Sequence, residues 1–163
     1  MRLTADSVDT LLPGGKSNLS DVAAAVGLGQ LKHLEEFNAK RRVLVARYFE
    51  RWGERAPLRL PERGDEGHSW HVFTPLLPLR ELRLTRLEFL EAMKSRGIGV
   101  GVHYQAIHLF STYRALGYTD GQFPNAERIG RETVTLPLFP AMELGDVDRV
   151  VEAVEEIVGG ARR

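Results

Sequence analysis

The 163-residue chain has five histidines, four lysines and no cysteine, and that inventory bounds its chemistry. Disulfides, thiolate catalysis and cysteine-ligated zinc are excluded. The histidine in the most suggestive setting is His103, near the end of the run Gly97 to Tyr104, G-I-G-V-G-V-H-Y. Side chains alternate between faces along a strand. Ile98, Val100, Val102 and Tyr104 would share one face, fit for a core. Gly99, Gly101 and His103 would share the other. Glycine in a strand often marks a close approach by a backbone or a ligand, so His103 would close an approached face. The plainer alternative is an edge strand with a surface histidine.

The other candidate chemistries are less well supported. His68 and His71 are three residues apart, and His103 and His108 are five apart. On strands, His68 and His71 face opposite ways. No His-Glu-x-x-His helix exists, and no carboxylate stands at ligand spacing beside either pair, so no metal is expected. No G-x-S-x-G elbow supports a hydrolase, although an independent histidine-dependent hydrolase stays open as a third reading. Gly97 to Gly101 follows a helix and lies inside a strand, the wrong setting for a dinucleotide fingerprint. Lys16-Ser17-Asn18 offers an ammonium and an amide beside a helix N-terminus, which suits a phosphate. The same residues also read as a plain polar loop before a cap.

These groups must be positioned by a run of helices and short strands. Ser20 is a good N-cap with Asp21 in the first turn. The helix it opens carries Val22 to Gly29. Its two glycines each cost about 1 kcal/mol relative to alanine, which suggests close packing against another backbone and a break near Gly29. A second helix runs from about Leu31 to Trp52, with an apolar stripe of Phe37, Leu44, Val45, Tyr48, Phe49 and Trp52. Residues 53–67 are a loop. A strand follows over 68–77, with Trp70, Val72 and Thr74 on one face and His71 and Phe73 on the other. Pro75 and Pro78 close it. Thr85 and Glu88 form a capping box for a helix with Leu87, Leu90 and Met93 inward, ending at Gly97. A short helix falls within 106–116, another follows Pro124 over 125–132, and a third strand spans 133–136. Val147, Val150, Val151, Val154, Ile157 and Val158 make a clean amphipathic helix.

Hydrophobic residues make up 43% and charged residues 27%, enough to build one core. Lys plus Arg equals Asp plus Glu, so no bulk attraction to nucleic acid or anionic lipid is expected. No apolar run approaches a membrane span, and a cytoplasmic location is the default expectation.

Four segments, in order, resemble one family. Gly15 to Leu31 is similar to the loop-and-helix signature of the DegT/DnrJ/EryC1/StrS sugar aminotransferases. Ser69-Trp70-His71-Val72-Phe73 resembles a family strand. The run R-G-I-G-V-G-V-H-Y with Ile107-His108-Leu109 resembles its R-G-I-x-x-x-x-H-Y-x-x-x-H-L tract. Thr135 to Pro140, T-L-P-L-F-P, is similar to its C-terminal S-L-P-L-(Y/F)-P. The resemblance covers the family's C-terminal portion only.

It implies an α+β fold: a small antiparallel sheet of about three strands packed against helices, with a long N-terminal helix, as in the C-terminal domain of aspartate aminotransferase-type enzymes. Residues 1–19 would be a segment of the large domain and its polar loop, and 20–163 the small domain. The complete enzyme would use pyridoxal 5'-phosphate to move an amino group onto a keto group of a nucleotide-linked sugar. The Schiff-base lysine segment would lie upstream of this chain, so the chain alone is expected to bind no cofactor and be inactive. Lys16 and Asn18 match the loop that reaches the cofactor phosphate of the other subunit. His103 and Tyr104 match a pair lining the sugar side of the cleft, and His108 a second histidine there. Partners would be the nucleotide-sugar and either a second copy or a missing large-domain chain, with no nucleic acid and no membrane. The alternative is a non-catalytic remnant, a dimerising or sugar-binding module. His71 is expected to be a half-buried, hydrogen-bonded histidine.

Overall fold

Ser20 opens the first helix as its side chain suggests: its hydroxyl accepts from the Ala23 N–H at 3.3 Å. This is a computed structural model, and it describes residues 2–3, 8–9 and 18–163. The chain divides into two units, Met1–Leu34 and Glu35–Arg163.

In the first unit, β1 (Arg2–Leu3) pairs antiparallel with β2 (Val8–Asp9). Helix α1 (Asp21–Leu31) runs through both glycines. The break expected near Gly29 falls instead at Lys32–His33. A Cβ added at Gly27 or Gly29 meets nothing within 4 Å among the described residues. The close packing expected of those glycines is therefore not made there. Val22, Val26, Leu28 and Leu31 are exposed.

The second unit is built on α2 (Leu34–Trp52), from Glu35 onward, and α6 (Leu144–Gly160). Between them in sequence come α3 (Arg86–Ser95), α4 (Ser111–Arg114) and α5 (Pro124–Glu132). Leu44, Val45, Tyr48, Phe49 and Trp52 of α2 join Val147, Val150, Val151, Val154 and Val158 of α6 in one core. That periodicity is the amphipathic pattern of the sequence made real. Tyr48 stacks on Phe73 at 4.7 Å, and its buried hydroxyl donates to the Pro137 carbonyl at 2.9 Å. Thr85 and Glu88 form the expected capping box of α3. Phe89 and Met93 carry its buried face, but Leu87 is exposed, contrary to expectation. Gly97 follows with φ +72, the left-handed turn that favours glycine.

The three-strand sheet does not form. Among residues 18–163 the expected strands make only isolated bridges: Phe73 with Leu136, Leu76 with Thr133, and Gly101 with Thr135. The first two share one register, which sets Pro75 opposite Val134. Val134 donates to the Pro75 carbonyl at 3.1 Å, but proline has no N–H to return, so the ladder is interrupted at its middle. Pro137 ends it on the other side. The alternation expected over 68–77 also fails. Trp70 has φ +46, and Trp70 and Phe73 are both buried, although they were expected on opposite faces. Helices packed over bridged extended segments replace the expected α+β sheet. No helix among the described residues is long and apolar enough to cross a membrane.

One ion cluster clamps α2 to α6. Asp148 accepts from Arg47 Nε at 2.8 Å and pairs with Arg51 at 2.7 Å. Hydrogen bonding from Arg47 outweighs burial, and with Arg51 it pulls the Asp148 carboxyl from its ordinary 3.8 to about 2. A carboxyl lowered in the folded state stabilises the fold above its unfolded value, and loses that effect as pH falls through the folded value. The stabilisation from Asp148 should therefore be complete above about pH 4 and fade toward pH 2. Asp148→Asn should flatten the unfolding midpoint measured across that window by circular dichroism; an unchanged slope refutes the clamp.

Candidate functional site

Gly101 and Thr135 exchange both backbone hydrogen bonds, at 3.0 and 2.8 Å. That pairing delivers the chain into His103. The His103 Nδ1 shares a hydrogen bond with the Thr135 hydroxyl at 2.8 Å, which fixes the ring and leaves Nε2 outward. The Tyr104 ring meets it edge-on at 4.7 Å and is 70% exposed. The strand alternation that put Tyr104 on the core face with Ile98 does not persist beyond Gly101.

The next turn points inward. Ala106 is buried, and His108, in the short turn Ile107–Leu109, is buried with its Nε2 3.1 Å from Glu127 Oε1. The same oxygen accepts from the Gly121 N–H at 2.7 Å and the Phe123 N–H at 3.3 Å. Arg131 lies 3.6 Å from the other carboxylate oxygen. Burial resists the Glu127 charge, but the Gly121 N–H, His108 and the Phe123 N–H outweigh it and hold the carboxyl below its usual range. An ionised Glu127 accepts, so His108 Nε2 carries the proton.

Helix α5 is pressed against this segment. A Cβ at Gly130 would stand 2.6 Å from the Ala106 backbone nitrogen, so only glycine permits the approach. From α3, the Arg86 guanidinium donates to the Gly130 and Thr133 carbonyls and holds the C-terminal end of α5. Between α5 and the 104–108 segment lies an open pocket of about 590 Å³.

 Tyr104, Ile107 and His108 border it on one side and Tyr113, Tyr118 and Phe123 on the other, with Ala126 and Ile129 of α5 beneath.

The structure thus places His103, Tyr104 and His108 along one segment, with two side chains outward and one buried. Asn18 is exposed in the first unit, and Lys16 lies outside the described residues. His71 is exposed, not half-buried as expected. Sequence reasoning missed Glu127, Thr135 and Gly130. Glu127 lies on a helix that was expected, but a glutamate there reads as solvent-facing.

The family model for the DegT/DnrJ/EryC1/StrS aminotransferases matches residues 2–155. The chain belongs to this family. It is 38% identical over 152 residues to the spore coat polysaccharide biosynthesis protein SpsC of Bacillus subtilis (strain 168), covering 91% of this chain and 39% of SpsC. S. venezuelae DesV, solved in complex with a ketimine intermediate, is 29% identical with TM-score 0.79, covering 95% of this chain and 41% of DesV. Spr1654 from Streptococcus pneumoniae, in its PLP-form, shares the fold at 24% identity and TM-score 0.83, over 93% of this chain and 39% of that one. This family member therefore spans about two-fifths of the length of these relatives.

The described residues do not fit a complete pyridoxal phosphate site. Lys32 and Lys94 are exposed, and Lys40 is paired with Glu36 at 2.7 Å on the exposed side of α2. None of these amines borders the pocket beside Tyr104. Among the described residues no three His, Asp or Glu side chains gather to hold a metal.

Gly130→Ala should push α5 off the 105–106 backbone. Overpacking of this kind costs roughly 1–3 kcal/mol, readable by urea unfolding, with amide shifts concentrated over 103–108. A stable variant with unmoved 103–108 amides would contradict the packing.

Proposed function

We propose that this chain is the sugar-facing lobe of an aminotransferase that uses pyridoxal phosphate and acts on a nucleotide-linked keto-sugar. The observation that supports it most is the family match over residues 2–155, joined to an exposed His103 in edge-on contact with Tyr104, which borders a pocket. The bound cofactor would supply the amino-group chemistry, and its lysine would come from outside the described residues. This chain's residues bind and orient. His103, braced by Thr135, offers Nε2 to a sugar hydroxyl. Tyr104 presents a ring and a hydroxyl beside it. His108 holds the segment in place through Glu127. Lys16 and Asn18 belong to the same reading as ligands of a neighbouring subunit's cofactor phosphate.

A second reading is a non-catalytic dimerising module. The four exposed aliphatic side chains of α1 favour it.

The chain is incubated with pyridoxal phosphate, glutamate and a nucleotide-linked keto-sugar, alone and joined to the lysine-bearing portion of a family aminotransferase. The joined protein should form 2-oxoglutarate and amino-sugar; the chain alone should form neither, and borohydride should fix no cofactor to it. His103→Ala in the joined protein should lower kcat/KM roughly tenfold, the worth of about one hydrogen bond. A joined protein that folds, binds cofactor and transfers nothing sinks the proposal and leaves the dimerising module.

A further inference from the structure

Three arginines of the second unit meet at one cavity with no acid among them. Arg83, Arg86 and Arg163 border a pocket of about 320 Å³ over a floor of Leu79, Leu82 and Leu84. No aspartate or glutamate borders it. The neighbouring carboxylates are engaged elsewhere. Glu88 accepts from the Thr85 backbone N–H at 2.6 Å and from its hydroxyl at 2.9 Å. Glu81 borders a different pocket, with Arg59, Arg80 and Arg128.

Like charges gathered in this way repel, and backbone contacts rather than counter-ions hold them here. The Arg83 backbone N–H donates to the Ala161 carbonyl at 2.8 Å, and the Arg163 backbone N–H to the Glu81 carbonyl at 3.1 Å. Arg163 Nε donates to the Leu82 carbonyl at 3.0 Å. Arg86 is half-buried and fixed by the Gly130 and Thr133 carbonyls. Burial holds its guanidinium below the ordinary range, as expected of a cation with no acid beside it. The Arg83 guanidinium has no partner among the described residues. Each of the three arginines keeps N–H donors to spare.

Those donors define the ligand. A guanidinium is a planar fork that matches the oxygens of a carboxylate or phosphate. A phosphate monoester brings three such oxygens and a charge of about −1.5 to −2, which suits three forks better than a singly charged carboxylate does. The leucine floor suits an apolar body. The cavity lies at the lower end of ligand-site volumes, roughly 300–1,000 Å³, so that body is small.

We propose that this pocket binds a small organic phosphomonoester, its phosphate held by Arg83, Arg86 and Arg163 and its apolar part lying over Leu79, Leu82 and Leu84. The proposal goes beyond the amino-transfer reading and does not depend on it.

The 163-residue chain is titrated with phenyl phosphate, phenyl sulfate, inorganic phosphate and phenol, read by backbone amide shifts. Phenyl phosphate should move Leu82, Arg83 and Thr85. Inorganic phosphate, which lacks the body, and phenyl sulfate, with a single charge, should each bind more weakly, and phenol should not bind. Arg83→Ala removes an exposed side chain and leaves its backbone bond. It should weaken phenyl phosphate at least roughly tenfold, the worth of one hydrogen bond to a charged group. Arg83→Lys keeps the charge without the fork and should fall between. Arg80→Ala removes the same charge from the neighbouring pocket and should change affinity less than about twofold, because a bare loss of surface charge is screened by salt. Equal losses in Arg80→Ala and Arg83→Ala, full affinity in Arg83→Ala, or equal binding of phenol would each overturn the proposal. So would sedimentation with vesicles of phosphatidylcholine and phosphatidic acid in the absence of phenyl phosphate binding, which would assign the arginines to a lipid surface. The readout needs neither cofactor nor amino donor, so it stands or falls apart from amino transfer.

Discussion

Residues 133 to 137 form the seam to which the parts of the second unit are fastened. Leu136 and Val134 are fully buried and hydrogen-bond to the carbonyls of Phe73 and Pro75. Thr135 exchanges hydrogen bonds with Gly101 and braces His103 with its hydroxyl. The Thr133 carbonyl receives Arg86 from α3, and the Pro137 carbonyl receives Tyr48 from α2. Five residues thus connect the core helices to the segment that carries His103. Alternation makes this possible: apolar side chains enter the core while Thr135 turns toward the site.

The site depends on the seam on one side and on α5 on the other. Gly130 lets α5 reach the 105–106 backbone, and Glu127 ties His108 to the 121–123 loop. Gly130 acts on backbone, and Glu127 on two backbone N–H groups and the His108 ring. The outward groups, His103 and Tyr104, are consequently held by buried ones. A site built this way is ordered before anything binds, which reduces the cost of ordering it on association.

Much of the helical framework was legible from local chemistry. Ser20, the Thr85–Glu88 box and Pro124 mark helix starts because a side chain or a missing N–H acts within four residues of itself. The stripes of α2 and α6 mark buried faces for the same reason of period. Leu87 shows the limit of this, since its spacing fits the α3 stripe while its side chain stays exposed. The sheet was misread where a run of strand-like residues contained Pro75, whose missing N–H matters only once Val134 stands opposite it.

The amino-acid order by itself determined the helices, their caps and the family signature, and it singled out His103. Each rests on neighbours a few residues apart. Only the tertiary structure decided that extended segments meet in single bridges, that Thr135 braces His103 from 32 residues away, and that Glu127 pairs with His108 across 19. Those outcomes depend on which distant groups are brought together and desolvated, and no local period encodes that.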